Sequence, residues 1–597
     1  MEINSKKQNR KSFKKKTIVD LTMIVAIFIF LNYISSYFFF RVDLTTENRY
    51  TIAPETKKLL KDLKDIVYVK VYLDGELPAG FKRLQSGIKE MLDEFRVYGG
   101  ENIQYELINP SENTNKKERN DFYRQLYQKG LNPTNLQEKD DEGTQSQKII
   151  FPGALVSYKN VEAPVDFLTA SVNQSPEQNL NGSIEEIEYQ LVSAILKLKK
   201  EFNQKIAFIY GHGELESPDV EDISNTLSDY YTVERIKING KLNSLSERIE
   251  DSIGVRTHNK YDLIVIAKPD SMFTEQDKFI IDQHIMLGGK VLWLIDATTA
   301  EIDSLAYSSS ILATIKATNI NDQLFHYGVR VNPNLIQDIQ CALIPVNTAI
   351  AGTQPKFSPE PWVYFPLLQP LFSHPIGRNV NLVKAQFASS IDFVGEAQNI
   401  TKTVLLATSQ YSREVNAPVR IGLELIREKR VPENFGKSNL PVAVLLEGKF
   451  SSVFKNRLTP EISDSPQISF KPEGISTKMV VISDGDLIRN NVQKLGFKSN
   501  AQPLGFDRYT GETFGNKDFL LNVINYMLDN TGFMSLRSRE IKLRLLDKSK
   551  IENSKAFWQI TNTLLPIVFI IALGTLITIY RKRKYTITHE TNMTKKD

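Results

Sequence analysis

Cysteine occurs once in 597 residues, as Cys341. Without a second thiol no intramolecular disulfide can form, so a large folded body must stand on packing alone. The neighbours of that thiol in QDIQCALIPV are largely apolar and no histidine lies close in sequence. It reads as a small buried side chain rather than a nucleophile. Catalytic signatures are missing as well. The sequence has no G-x-S-x-G nucleophile elbow and no H-E-x-x-H zinc pair. Gly436-Lys437-Ser438 matches the close of a phosphate loop, but Val431 stands where that loop needs its first glycine. The chain is therefore not itself an ATPase of that class. No catalytic, cofactor or metal set is expected, and no repeat of fixed period occurs.

Evenly spread charge is absent too. The net charge is +4, yet residues 1–17 carry +6 and 581–597 carry +4, which leaves −6 on the residues between. A mildly acidic middle argues against the basic face that nucleic-acid binding requires. The basic ends instead flank the two long apolar runs. Within a predicted span over 18–40, the 20 residues Leu21–Phe40 carry no charge. At about 1.5 Å per residue they match the roughly 30 Å hydrocarbon core of a bilayer. Tyr37-Phe38-Phe39-Phe40 replaces the small residues of a signal-peptidase site, so a retained anchor is expected rather than a cleaved leader. The second span, 556–580, has 25 residues without charge and is followed at once by Arg581-Lys582-Arg583-Lys584. Basic flanks stay in the cytoplasm, so both termini are predicted inside and the middle outside, tethered at both ends.

Between the spans the pattern is α/β. Helix and strand periods alternate over 45–170, which predicts a small α/β domain. Ser171–Ser183 reads as a linker, after which Ser183 caps a strong helix. A larger domain is expected over 184–530. There QKIAFIY, YDLIVIAKP and KVLWLID are near-continuous apolar runs, the mark of strands covered on both faces. Thr274 opens a helix that Gly288-Gly289 stops. The alternation is doubly wound and Rossmann-like. About 300–400 an irregular insertion is expected, with long loops at Ser304–Asn319 and Gln354–Pro370. Lys478–Ser483 returns as a buried strand, followed by a helix over Leu487–Leu495. A membrane-proximal segment, 531–555, completes the body.

Two short constellations stand at predicted strand ends. Gly211-His212-Gly213-Glu214 follows a buried strand, where open α/β sheets place ligands, and its glycines let the backbone approach something closely. The alternative is a tight turn with a hydrogen-bonded histidine and Glu214 near a helix N-terminus. Asp484-Gly485-Asp486 offers a carboxylate pair for Mg²⁺, or a turn in which Asp486 caps the next helix. The structural alternative is preferred for both, and Gly211, His212, Gly213, Glu214, Asp484 and Asp486 are carried forward as candidate ligand or partner contacts.

Longer stretches resemble one family. RVDLTTENRYTIAPETKKLL, YLDGELPAGFKRL, IAFIYGHGELE, VAVLLEGKFSSVFKNR, VISDGDLIRN and PLGFDRYTGETFGNKDFLLNVINYMLDN are similar to the GldG family of gliding-motility proteins. These are membrane-anchored components assigned to an ABC transporter. The resemblance implies a non-catalytic auxiliary, substrate-binding-type subunit of the inner membrane, with a periplasmic body and its spans in the lipid bilayer. A separate ABC ATPase and a multi-span permease would be its partners, alongside periplasmic proteins, in gliding motility and associated secretion. It also implies a thioredoxin-like first domain and a second domain like class I glutamine amidotransferases. The first lacks C-x-x-C and the second lacks a catalytic cysteine, so both would be scaffold uses of enzyme folds. The competing expectation is a structural tether of the gliding or secretion machinery with no transported ligand.

Overall fold

Pro54 opens the first helix, α1 (Pro54–Lys61), at a position where its missing N–H leaves no bond unmade. The computed structural model describes residues 19, 21–30, 51–139, 145–168, 175–199, 204–238, 240–241, 243–251, 254–305, 308–347, 349, 354, 356–395, 399–458, 469–495, 498–529, 532–538 and 548–593. The basic tail over 1–17 and most of the span expected over 18–40 lie outside them; Leu21–Phe30 forms a short apolar helix. The chain divides into two units, residues 1–540 and 541–597.

Alternating valines build the first strand, β1 (Val67–Val71), and put Val67, Val69 and Val71 on one buried face. Helix α2 (Ala79–Gly99) buries Phe81, Leu84, Ile88, Leu92 and Phe95 at helical spacing and leads to β2 (Ile103–Leu107). Helix α3 (Lys116–Gln128) and the strands β3 (Gly153–Tyr158) and β4 (Val161–Asp166) follow. The sheet order is β2-β1-β3-β4, with β1 parallel to β2 and the other pairs antiparallel.

The helix expected to follow a cap at Ser183 is capped eight residues earlier, at Ser175, and runs as α4 (Pro176–Lys199). Ser175 Oγ accepts from Gln178 N at 3.2 Å and Gln178 Oε1 accepts from Ser175 N at 2.9 Å, a reciprocal capping box. Ser183 lies inside the helix, where its Oγ donates to the Asn179 carbonyl at 2.8 Å. The apolar face of α4, including Ile184, Ile187, Leu191 and Ile195, packs into the core of the first sheet. Two buried glutamates on it hold the ends of the folded body. Glu188 Oε1 accepts from Ala53 N at 2.8 Å and from Thr56 Oγ1 at 2.7 Å. Glu186 Oε1 accepts from Arg537 Nη2 at 2.7 Å and from Arg537 Nε at 3.1 Å.

The larger domain contains β5 (Lys205–Tyr210), α5 (Glu221–Ser228), β6 (Thr232–Lys237), β7 (Leu263–Ala267), α6 (Glu275–Met286) and β8 (Lys290–Leu294). It continues with β9 (Cys341–Asn347), β10 (Phe357–Pro370), β11 (Ile400–Ala407), β12 (Pro441–Ser451), β13 (Glu473–Ile482) and α7 (Asn516–Leu528). The apolar runs form buried strands as expected. They lie in a ten-stranded sheet ordered β9-β10-β11-β12-β13-β8-β7-β5-β6, with Val383–Lys384 paired beside β10. Five strands are parallel, in spatial order β6-β5-β7-β8-β13. Alternate residues of these strands face opposite ways: Ile206, Val265, Leu292 and Val480 pack with α5 and α7, while Ala207, Ile264, Trp293 and Val481 pack with α6.

Strands β9 to β12 make the antiparallel remainder. Here the expected loop over Gln354–Pro370 is replaced by the 14-residue strand β10, in spite of four prolines. Pro359 and Pro361, two residues apart, share one side of it. Over that stretch its ladder partner is β9; β11 joins only at Gln369 and Pro370. Trp362, Tyr364 and Phe365 bury the strand's other content.

His284, on α6, is 1% exposed, with its Nε2 3.4 Å from the Lys290 carbonyl and its Nδ1 without a partner. Burial pushes its pKa down to about 4 from 6.5. The unfolded chain therefore takes up a proton near pH 6.5 that the folded chain refuses. Stability is complete above that pH and is lost as pH falls toward 4, by about 3 kcal/mol. In urea titrations of the full chain, His284→Gln is expected to flatten this acid-side fall. A profile that kept its slope would mean that the ring is already reached by water.

The described residues of the second unit form one long helix, α8 (Lys548–Met593), broken at Ser554, where φ is −132°. Its Ser554–Arg583 part, 30 residues, is the one helix among the described residues long and apolar enough to cross a membrane. Pro566 removes one backbone donor inside it.

Candidate functional site

The parallel strands have the order 2-1-3-4-5 of a doubly wound sheet, in which ligands bind beyond the carboxyl ends of the strands at the switch point. That point lies between β5 and β7. Four segments leave the sheet on this side: Gly211–Glu214 after β5, Lys268–Asp270 after β7, Ile295-Asp296 after β8 and Ser483–Asp486 after β13. The two constellations carried from the sequence are thus brought to one edge.

At the first, Gly211 has φ +126° and Gly213 φ +77°. The close approach they allow is to the neighbouring loop: the His212 carbonyl accepts from Asp270 N and Ser271 N, both at 2.8 Å. A Cβ on Gly213 would lie 2.9 Å from Asp270 Cβ. His212 is buried and its ring is stacked on Phe273, with 3.8 Å between centroids. Its Nδ1 is 3.2 Å from Glu214 Oε1 and its Nε2 3.2 Å from Asp277 Oδ2. Burial works to depress the imidazole pKa, but the bonds to Glu214 and Asp277 outweigh it and hold it above its ordinary value. Both ring nitrogens are spent on carboxylates of the fold.

At the second, Asp296, Asp484 and Asp486 are all buried. Lys268 Nζ lies 2.6 Å from Asp486 Oδ2 and 3.5 Å from Asp296 Oδ2. Lys316 Nζ is 2.9 Å from Asp270 Oδ1 and 3.7 Å from Asp296 Oδ2, which links the two clusters. Asp484 accepts from Asp486 N and from Gln386 N, each at 2.8 Å. Burial and the neighbouring Asp486 and Asp296 push the Asp484 pKa well up. Burial depresses the Lys268 pKa, yet Asp486 and Asp296 prevail and keep it charged. Lys268 has φ +55°, and a Cβ on Gly485 would lie 2.6 Å from Lys268 Cβ, so glycine is what lets these two strand ends meet.

Among the described residues, Asp296, Asp484 and Asp486 are the one carboxylate set whose oxygens lie within 4.8 Å of one another. The Lys268 ammonium already supplies positive charge there, and both Asp484 oxygens are taken by backbone N–H groups. A divalent cation would have to displace Lys268. The capping role expected of Asp486 falls to Asp484, which accepts from Asp486 N. The helix expected over Leu487–Leu495 is a single turn, Asp486–Ile488, and a strand, Val492–Leu495. Asn490 decides this: its N donates to the Asp219 carbonyl at 2.8 Å and its Nδ2 to the Pro218 carbonyl at 2.9 Å.

Lys268, Asp277, Asp296 and Lys316 escaped the sequence reading. For Lys268 and Asp296 a signal existed, since each is the first charged residue after an apolar run at a parallel strand's carboxyl end. Cys341 is half-buried at the start of β9, and burial pushes its thiol up to about 11, which leaves it a poor nucleophile.

The profile of a family described as an ABC-type uncharacterized transport system matches residues 203–523. A domain of unknown function matches residues 46–157. No curated protein matches the sequence. Four solved chains match; one, titled mmIFT52 N-terminal domain, aligns at 13% identity over 55% of this chain and 99% of its own. Its TM-score is 0.30, at which a likeness carries no inference.

Proposed function

Since the chain belongs to the family described as an ABC-type uncharacterized transport system, we propose that it is the non-catalytic auxiliary subunit of an ABC transporter serving gliding motility and its associated secretion. The observation that carries the auxiliary role is the state of the strand ends. Where doubly wound enzymes hold ligands, His212, Glu214, Asp484 and Asp486 are bonded to the fold's own groups, so the sheet serves as scaffold. The order β2-β1-β3-β4, with one parallel and two antiparallel pairings, supports a thioredoxin-like first domain. The 2-1-3-4-5 parallel half supports an amidotransferase-like second one. The apolar helix over Ser554–Arg583 and the uncharged run Leu21–Phe40 support two spans of the inner membrane, with both termini cytoplasmic and the body periplasmic.

Extraction of the full chain from native membranes in a mild detergent, with mass spectrometry of what comes with it, tests the reading. A separate ATPase bearing a phosphate loop and a multi-span permease are expected in constant proportion. Recovery of envelope motor or secretion components alone would replace the transporter role with that of a tether.

A further inference from the structure

Away from both clusters, a cavity of about 660 Å³ lies between the two domains. That is within the range of small-molecule sites, about 300–1,000 Å³. Its walls come from β4 and α4 of the first domain, from α7 and Tyr230 of the second, and from Phe533 and Met534 after α7. Tyr189, Tyr230, Leu521 and Phe533 give it apolar and aromatic faces.

Its polar groups are mixed, with acids in excess of bases. Gln190 Oε1 is buried without a hydrogen-bond partner. Asp518 lines the cavity and is accessible from it, and no described residue pairs with its carboxylate. Two further acids, Asp166 and Asp529, are on the wall, against one base, Lys197. Lys197 is turned to Asp229, with 2.5 Å between Nζ and Oδ2. The neighbouring Arg537 is committed to Glu186 and lies over the Tyr189 ring, 5.0 Å from its centroid. The cations nearest to Asp518, Arg537 and Lys517, are engaged by Glu186 and Asp222, so two acceptors face the space without a bonded cation, an arrangement completed by a donor-bearing cation.

We infer that this cavity binds a small cationic molecule with an aromatic or apolar body, its charged donor group set against Asp518 and Gln190 and its body laid on Tyr189, Tyr230 and Leu521. Such a ligand would bridge both domains and the segment that leaves the body at Phe533.

4-Aminobenzamidine, a cationic aromatic amidine whose N–H groups donate and which fluoresces when held in an apolar site, is the probe. Its uncharged counterpart 4-aminobenzamide and the anionic 4-aminobenzoate are the comparisons. Titrated against the full chain in dodecylmaltoside, with protein-free micelles as blank, 4-aminobenzamidine is expected to bind one saturable site. The neutral analogue should bind about tenfold more weakly. Asp518→Asn should weaken the cation by about tenfold and leave the neutral analogue unchanged, while Leu521→Trp, which fills the space, should remove both. Absence of saturable 4-aminobenzamidine binding, equal affinity for the neutral or anionic counterpart, or indifference to both substitutions would overturn the inference.

Discussion

Replacing Lys268 by methionine is expected to lower the unfolding free energy of the full chain by about 3–5 kcal/mol, read as an earlier urea midpoint. The size follows from what is left behind. Lys268 is 6% exposed and its ammonium reaches Asp486 at 2.6 Å and Asp296 at 3.5 Å. Without it three buried carboxylates face one another, with Arg489 at 3.5 Å from Asp486 and Lys316 at 3.7 Å from Asp296 as the remaining cations. Methionine keeps the stem's volume, so the loss reports charge rather than a cavity. Adding Asp486→Asn to Lys268→Met should restore much of the loss, because the uncompensated charge goes with it. If the single substitution moved the midpoint by less than about 1 kcal/mol, water would have to reach these acids and the cluster would not be a closed network.

Arg537→Ala is expected to have a comparable effect, about 3–5 kcal/mol, but in a different place. Arg537 is 7% exposed and its guanidinium donates twice to Glu186 and once, at 2.8 Å, to the Arg378 carbonyl. Truncation strands Glu186 in the first core and frees the last turn, Phe533–Ser538, whose Leu536 packs there. Hydrogen exchange of the full chain should accelerate first over residues 532–538 and along α4, before the ten-stranded sheet responds. Uniform acceleration across both domains would instead mean that the turn is a keystone of the whole body.

Much of the fold was legible in single strands. QKIAFIY, YDLIVIAKP and KVLWLID announce buried parallel strands because both faces of each are covered, and Thr274 announces α6 because its Oγ1 accepts from Asp277 N at 3.1 Å. What escaped was set by distant partners. Ser175-Pro176-Glu177-Gln178 is a readable capping box, yet nothing local says that the helix it opens belongs to the first sheet. The prolines of β10 argue against a strand until its neighbours are known. The Leu487–Leu495 spacing is helical, but Asn490 is held by a turn some 270 positions earlier in the chain. The site divides the same way. The glycines located the strand ends, while the lysines that occupy them were silent, since Lys268 meets Asp486 across 218 positions.

Glu186 and Glu188 stand two residues apart on α4, one gripping the chain where it leaves the body and the other where it begins. A Cβ on Gly532 would lie 3.9 Å from Glu55 Cγ, so the start and finish of the folded body meet. Mechanically this is a closed loop and not a series of links. Tension applied to the two ends would run across a single helix and the first sheet. The ten-stranded domain, hung from that loop, would carry little of it and would keep its geometry under that load.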